Sequence, residues 1–189
     1  MHTRTVVLLA FFALGLSCLP PSSLAEEPAD DTQKAVLVTG ASSGIGRNIA
    51  ETLARDGYFV YAGARKQVDI DALNEIQNIQ AVRLDVTKQD EIDAAVNVIR
   101  ASGRGLYGLV NNAGIVTNGP MTEIDEDDLN WILNVNVVGV YRVTKAFAPL
   151  IIESKGRIAN ISSISGILSG KFWGPYTMSK HAIEAYTCL

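Results

Sequence analysis

Cysteine is scarce: 189 residues contain two, Cys18 inside an apolar run and Cys188 one residue from the end. A disulfide framework needs more than this, and no cluster suited to a metal is read from the sequence. Positive charge is also short. Sixteen Lys and Arg against twenty Asp and Glu give a net charge of −4, so nothing electrostatic points to nucleic acid as a partner. Repeats and low-complexity tracts are lacking. Long hydrophobic runs are lacking too, with one short exception at the N-terminus. There the 14 residues from Val6 to Leu19 follow Arg4 and precede "PPSSLAEEPADD". A basic start, a short apolar core and small residues at Ser23 and Ala25 form the layout of a secretory signal cut after Ala25. The run is shorter than the ~20 residues of a spanning helix; a retained membrane anchor is the competing reading. The expected organisation is a leader over 1–25, a linker over 26–33 and one domain over 34–189. The leader predicts a secreted or periplasmic protein, or a membrane-associated one if it is retained.

From Lys34 onward, short apolar runs alternate with helical spacing. "AVLV" (Ala35–Val38) reads as a strand buried on both faces. In "GRNIAETLARDG", Ile49, Ala50 and Leu53 share a helical face, and Gly57 ends it. "YFVYAGA", "QAVRLDV", "LYGLVNNAG" and "GRIANIS" read as four further strands. The segments "DIDALNEI" and "KQDEIDAAVNVIRASG" between them read as helices, the second with Ile92, Val96 and Ile99 inward. A long helical region from about Asp125 to Ser154 is expected to break near Asn134–Asn136. A last helix is expected to start near Pro175, a residue favoured in a first turn. Such alternation predicts right-handed crossovers and a mostly parallel α/β sheet.

Four stretches carry chemistry. "TGASSGIG" (Thr39–Gly46) lies between the first strand and the first helix. Glycine there permits positive φ and lets an anion reach the unpaired amides of the helix start. "NNAG" (Asn111–Gly114) ends the fourth strand, and "NVVG" (Asn136–Gly139) lies in the long helix. "YTMSK" puts Tyr176 and Lys180 one helical turn apart, with Ser163 thirteen residues before Tyr176. A surface tyrosine beside a surface lysine is the plain reading of such a pair. The chemical reading is a tuned acid: a free tyrosine titrates near ~10, and an adjacent ammonium lowers the pKa of a phenol. Such a phenol gives a proton to a carbonyl oxygen or takes one from an alcohol.

The spacing Gly40-x-x-x-Gly44-x-Gly46, with these other stretches in order, resembles the short-chain dehydrogenase/reductase family, and "GPYTMSKHAIEAYT" and "VYAGARK" resemble its hydroxysteroid/retinol dehydrogenase-like branch. The resemblance implies a Rossmann-like, doubly wound parallel sheet in which five strands stand in the order 3-2-1-4-5. It implies an oxidoreductase moving a hydride between a nicotinamide cofactor and a secondary alcohol or its carbonyl. Tyr176 would be the general acid/base. Lys180 would hold the nicotinamide ribose, and Ser163, rather than Ser162 or Ser165, the substrate oxygen. Asn136 would support the helix break and a water leading toward Lys180. Gly40, Ser42, Ser43, Gly44, Ile45 and Gly46 would form the cofactor loop. Asp85 and Val86 would hold the adenine, unless Asp85 merely caps the next helix, and Asn111 would line the adenosine ribose.

At the end of the second strand, where an acidic residue would accept both ribose hydroxyls of NAD, stands Ala64, followed by Arg65 and Lys66. A guanidinium suits a 2′-phosphate, so NADP(H) is expected, with NAD(H) the alternative. The substrate is expected to be an apolar alcohol or ketone, steroid- or retinoid-like, with Phe172 and Trp173 lining its pocket or serving the core. Homodimers or tetramers are implied by resemblance only. Relatives continue past the Tyr/Lys helix with a sixth and a seventh strand, and this chain stops inside that helix. The expected consequences are a fragment with an exposed fifth strand, a bare Ile183 and an exposed apolar patch. A non-catalytic nucleotide-binding or interaction module is therefore the rival reading.

Overall fold

A computed structural model describes residues 33–187. The leader, nearly all of the linker and both cysteines lie outside the described residues. The first strand, β1 (Ala35–Val38), is buried throughout. Its alternate side chains point into two cores, as period-two geometry requires. Leu37 joins one cluster; Val36 and Val38 join the other. The helix α1 (Gly44–Arg55) and the strand β2 (Phe59–Ala64) follow, with Gly57 (φ 93) turning the chain between them. Next come α2 (Gln67–Asn74), β3 (Ile79–Arg83), α3 (Gln89–Ala101) and β4 (Gly108–Asn111). The chain ends with α4 (Glu126–Leu133), a π-helical turn (Asn134–Val138), α5 (Gly139–Glu153), β5 (Arg157–Asn160), a 3₁₀ turn (Ile164–Gly166) and α6 (Gly174–Thr187).

The five strands are parallel in the order β3-β2-β1-β4-β5. One core holds Ala50 and Ala54 of α1 with Ile70 and Leu73 of α2. The other holds Ile92, Val96 and Ile99 of α3 with Val143, Phe147 and Leu150 of α5. The sheet is thus doubly wound, as its alternation predicts. The winding reverses at β1, which places the loops after β1 and β4 side by side at the carboxyl ends of the strands.

Three expectations need correction. The helix α2 begins at Gln67, not Asp69. Extended Lys66 precedes it, and the Gln67 side chain donates to Asp71 one turn on (2.7 Å). The long helix does not break at Asn134–Asn136; it widens into the π-helical turn and continues, with Pro149 inside α5. Ile183 is not bare. It is 2% exposed, because α6 packs against the 3₁₀ turn, the π-helical turn and α4. The strand β5 does form an edge of the sheet, with Arg157, Ile158 and Ala159 exposed.

Candidate active site

Thr39 follows β1 and is almost completely buried. Its Oγ1 accepts from the backbone N–H groups of Asn112 and Ala113, both at 3.0 Å. In return Asn112 Nδ2 donates to the carbonyls of Thr39 (2.9 Å) and Gly40 (3.1 Å). The two loops at the switch point are thus stitched together, and glycine is what permits the approach. Gly40 has φ +66, and a Cβ there would stand 2.9 Å from the Ala113 Cα. A Cβ on Gly46 would run into the Gly40 carbonyl and the Asn112 amide. Gly44 (φ +57) faces open space. Ser43, extended at the start of α1, makes no side-chain cap, and no acidic residue stands in the first turn. The amides of that turn are left for an anion.

A cleft of about 360 Å³ opens between these loops. Gly40, Ser42, Ser43, Ile45 and Gly46 line its middle. Arg65, Asp85 and Val86 lie toward the β2–β3 side, and Tyr176 and Lys180 lie toward α6. Most of the expected site is therefore brought together around one cavity. The Asp85 carboxyl is pushed up by burial, but the Thr87 hydroxyl and amide, with Arg65 and Lys88, outweigh this and hold it below the usual carboxylate range. Its Oδ1 accepts from Thr87 N (2.9 Å) and Oγ1 (2.7 Å). Asp85 thus shapes the turn before α3 while still bounding the cleft. Ala64, in the slot where an acid would grip both ribose hydroxyls, is buried.

On α6, Lys180 Nζ lies 5.7 Å from the centroid of the Tyr176 ring and donates to the Ile161 carbonyl at 2.7 Å. Lys180 is 7% exposed. Burial holds its amine below the ordinary lysine value. The backbone carbonyl thus fixes the amine on the tyrosine side of the cleft without neutralising it.

Four expected residues stand elsewhere. Gly44 is on the open side of its loop. Asn111 does not line the ribose side: side chains alternate along β4, and Asn111 turns away to donate to Thr144 Oγ1 (3.0 Å) and Asn160 Oδ1 (2.8 Å). Its neighbour Asn112 lines the cleft instead. Ser163 is turned into the 3₁₀ turn, where its Oγ accepts from Ser165 N (3.1 Å), whereas Ser162 lines the cleft. Asn136 is buried behind the cleft. It accepts from Ile115 N (2.8 Å) and donates to Ile115 O (2.9 Å) and to Ser179 Oγ (3.0 Å). Ser179 Oγ in turn donates to the Tyr176 carbonyl (2.7 Å). Phe172 and Trp173 lie outside the cleft and are largely exposed. The Phe172 carbonyl accepts from Gly119 N (2.8 Å), which ties the loop after β4 to the loop after β5.

Thr39, Asn112 and Ser179 are site residues that sequence reasoning passed over. Each sits inside a recognised stretch, so the signal was there. What was missing is the direction of each side chain.

The cavity fits a dinucleotide. Its glycine loop leaves the uncapped amides of the α1 start for a pyrophosphate, and a Cβ on Gly40 or Gly46 would push that loop off Ala113 and Asn112. Asp85, just after β3, and Lys180, on α6, both line the cleft.

Comparison with known proteins agrees with this architecture. A family profile described as short chain dehydrogenase matches residues 34–188. The mitochondrial D-beta-hydroxybutyrate dehydrogenase of Bos taurus is 41% identical over 167 residues, a match covering 82% of this chain and 48% of that protein. Retinol dehydrogenase 16 of Mus musculus is 37% identical over 159 residues, covering 82% and 50%. The crystal structure of an actinorhodin polyketide ketoreductase with NADPH superposes with a TM-score of 0.78 at 32% identity, over 82% of this chain and 62% of that one. The chain spans about half the length of the curated relatives it matches. A match that runs through the described domain and shares its sheet leaves one conclusion: the chain belongs to the short-chain dehydrogenase family.

Proposed function

We propose that this chain binds NADP(H) and supplies the proton-transfer pair of an oxidoreductase that interconverts a secondary alcohol and its carbonyl. The observation that carries this reading is the buried Lys180 amine beside the Tyr176 ring, in the same cleft as the open glycine loop. When bound, the nicotinamide supplies or takes the hydride. The chain's own residues do the rest. Tyr176 gives its phenolic proton to the carbonyl oxygen in reduction, or takes the alcohol's proton in oxidation. Lys180 keeps a positive charge beside that phenol and would hold the nicotinamide ribose with its remaining N–H groups. Ser162 and Ser163, at the start of the loop after β5, are the hydroxyls nearest in sequence to hold the substrate oxygen. The serine-to-tyrosine interval favours Ser163, which would first leave its bond to Ser165.

NADP(H) is preferred over NAD(H) because Ala64 offers no carboxylate to the ribose and Arg65 stands at the rim. The substrate is an apolar alcohol or ketone: Val116, Met121 and Ile164 present exposed apolar side chains on the loops around the Tyr176 end. The leader would bring the domain to a membrane or across it, and α4 and α5 would pair copies through Trp131 and Tyr141, both exposed.

Titration of the full chain with NADPH and with NADH, read through Trp131 and Trp173, tests the reading. Saturable binding with NADPH the tighter is expected, followed by turnover of apolar ketones. A folded sample that binds neither nucleotide overturns it and favours the non-catalytic module.

A further inference from the structure

The turn that carries Arg65 is held from outside by a residue of the neighbouring strand. In the sheet register Arg83 is the partner of Ala64, so its side chain emerges beside the β2–α2 turn. Its guanidinium is used as a fork. One terminal nitrogen donates to the Arg65 carbonyl at 2.5 Å, and the other donates to Gln67 Oε1 at 2.9 Å. Gln67 passes the restraint on through its Nε2 to Asp71 on α2 (2.7 Å). The Arg65 carbonyl and the Gln67 side chain, on either side of Lys66, are thereby held by one planar group, a geometry that lysine cannot reproduce. Three cations, Arg65, Lys66 and Arg83, gather at this turn. None of them has a carboxylate within ion-pair distance among the described residues.

We propose that Arg83 is a positioning and specificity-determining residue for the adenosine 2′-phosphate. It fixes the carbonyl of Arg65, and so aims the Arg65 guanidinium at the end of the cleft where a ribose phosphomonoester would lie. This rests on the NADP(H) reading above and deepens it. The influence of Arg65 on the Asp85 carboxyl, which lines the same cleft, is consistent with that aim. An unclamped Arg65 would have to order its turn and its long side chain on each binding event. The cost would fall on phosphorylated ribose alone, since only that group needs the guanidinium.

The test is nucleotide binding by the full chain, with NADPH against NADH and 2′,5′-ADP against 5′-AMP. Wild type and Arg65→Ala come first. Preference for the 2′-phosphorylated member of each pair, lost in Arg65→Ala, establishes the reading on which the proposal rests. Equal binding of both members by wild type sinks that reading and the proposal together. With the preference established, Arg83→Ala is expected to weaken NADPH and 2′,5′-ADP by about tenfold, one charge-assisted hydrogen bond's worth. NADH and 5′-AMP should change by less than about twofold. Arg83→Lys, which keeps the charge and loses the fork, should recover little of the loss. Arg65→Ala/Arg83→Ala should bind no more weakly than Arg65→Ala, because Arg83 acts through Arg65. Equal weakening of all four nucleotides would make Arg83 merely structural. Full recovery by lysine, or additive losses in the double variant, would make it a simple source of positive field. Any of these results, or no effect of Arg83→Ala, overturns the proposal.

Discussion

Asn136→Ala should unsettle the site without touching the cleft. Asn136 is 2% exposed and makes three hydrogen bonds, two to the backbone of Ile115 and one to Ser179 Oγ. At a net ~0.5–1.5 kcal/mol each, with the released partners left largely out of water, the loss is about 3 kcal/mol. For a domain of this size that lowers the melting temperature by roughly 6–12 °C. Ser179→Ala removes two bonds, the one from Asn136 and the one to the Tyr176 carbonyl, and should cost about 2 kcal/mol. Because the variants share a bond, the double variant should lose about 1 kcal/mol less than the sum. Circular dichroism melts of the four proteins give the cycle. A melting temperature for Asn136→Ala within about 1 °C of wild type, or strictly additive losses, would refute this account of how the π-helical turn holds α6.

Two further predictions concern the proton-transfer pair. Tyr176→Phe removes the hydroxyl and nothing else. Turnover should fall by about 10²–10⁴-fold while the dissociation constant for NADPH stays within about threefold; activity within tenfold of wild type would remove Tyr176 from its role. For Lys180→Met the sign follows from burial. The folded chain holds the Lys180 proton less tightly than the unfolded chain, so wild-type stability rises with pH from the lowered folded value up to about 10.4. That contribution is lost as pH falls through the folded value. Urea unfolding of Lys180→Met should lack this rise and lie within about 1 kcal/mol of wild type at pH 7, where the lost bond to Ile161 offsets the relieved desolvation. A wild-type-minus-variant difference that is flat or falls as the pH approaches about 10.4 from below would contradict the burial effect.

The sheet was legible because buried parallel strands announce themselves as short apolar runs such as "AVLV", and because glycine spacing marks the turn that feeds α1. Helix faces were legible for the same kind of reason: Ile92, Val96 and Ile99 of α3 are buried as the periodicity requires. What failed was direction. In "NNAG", either asparagine fits the end of a strand, and one residue decides whether an amide meets the cleft or the α5 side. In "ISSIS", three hydroxyls compete, and the backbone turned Ser163 into a local cap. The π-helical turn has no composition of its own, and a helix that widens by one residue reads in sequence like a helix that breaks.

Ile183 shows how tertiary ties change the meaning of an edge. With β5 exposed, the inner face of α6 should have been bare, yet α6 is held at three levels. Near its start, Ser179 is bonded to Asn136 of the π-helical turn. In its middle, Ile183 is buried against neighbouring elements. At its end, Thr187 Oγ1 accepts from Asn160 of β5 at 3.0 Å. The tyrosine–lysine separation is set by helix geometry, but the placement of the pair over the cleft depends on these ties. Two of the three, Ser179–Asn136 and Asn160–Thr187, are single hydrogen bonds between side chains, and Asn160 also receives Asn111 (2.8 Å). Asn111, misread as a ribose contact, therefore serves the site by bracing the strand from which α6 is held.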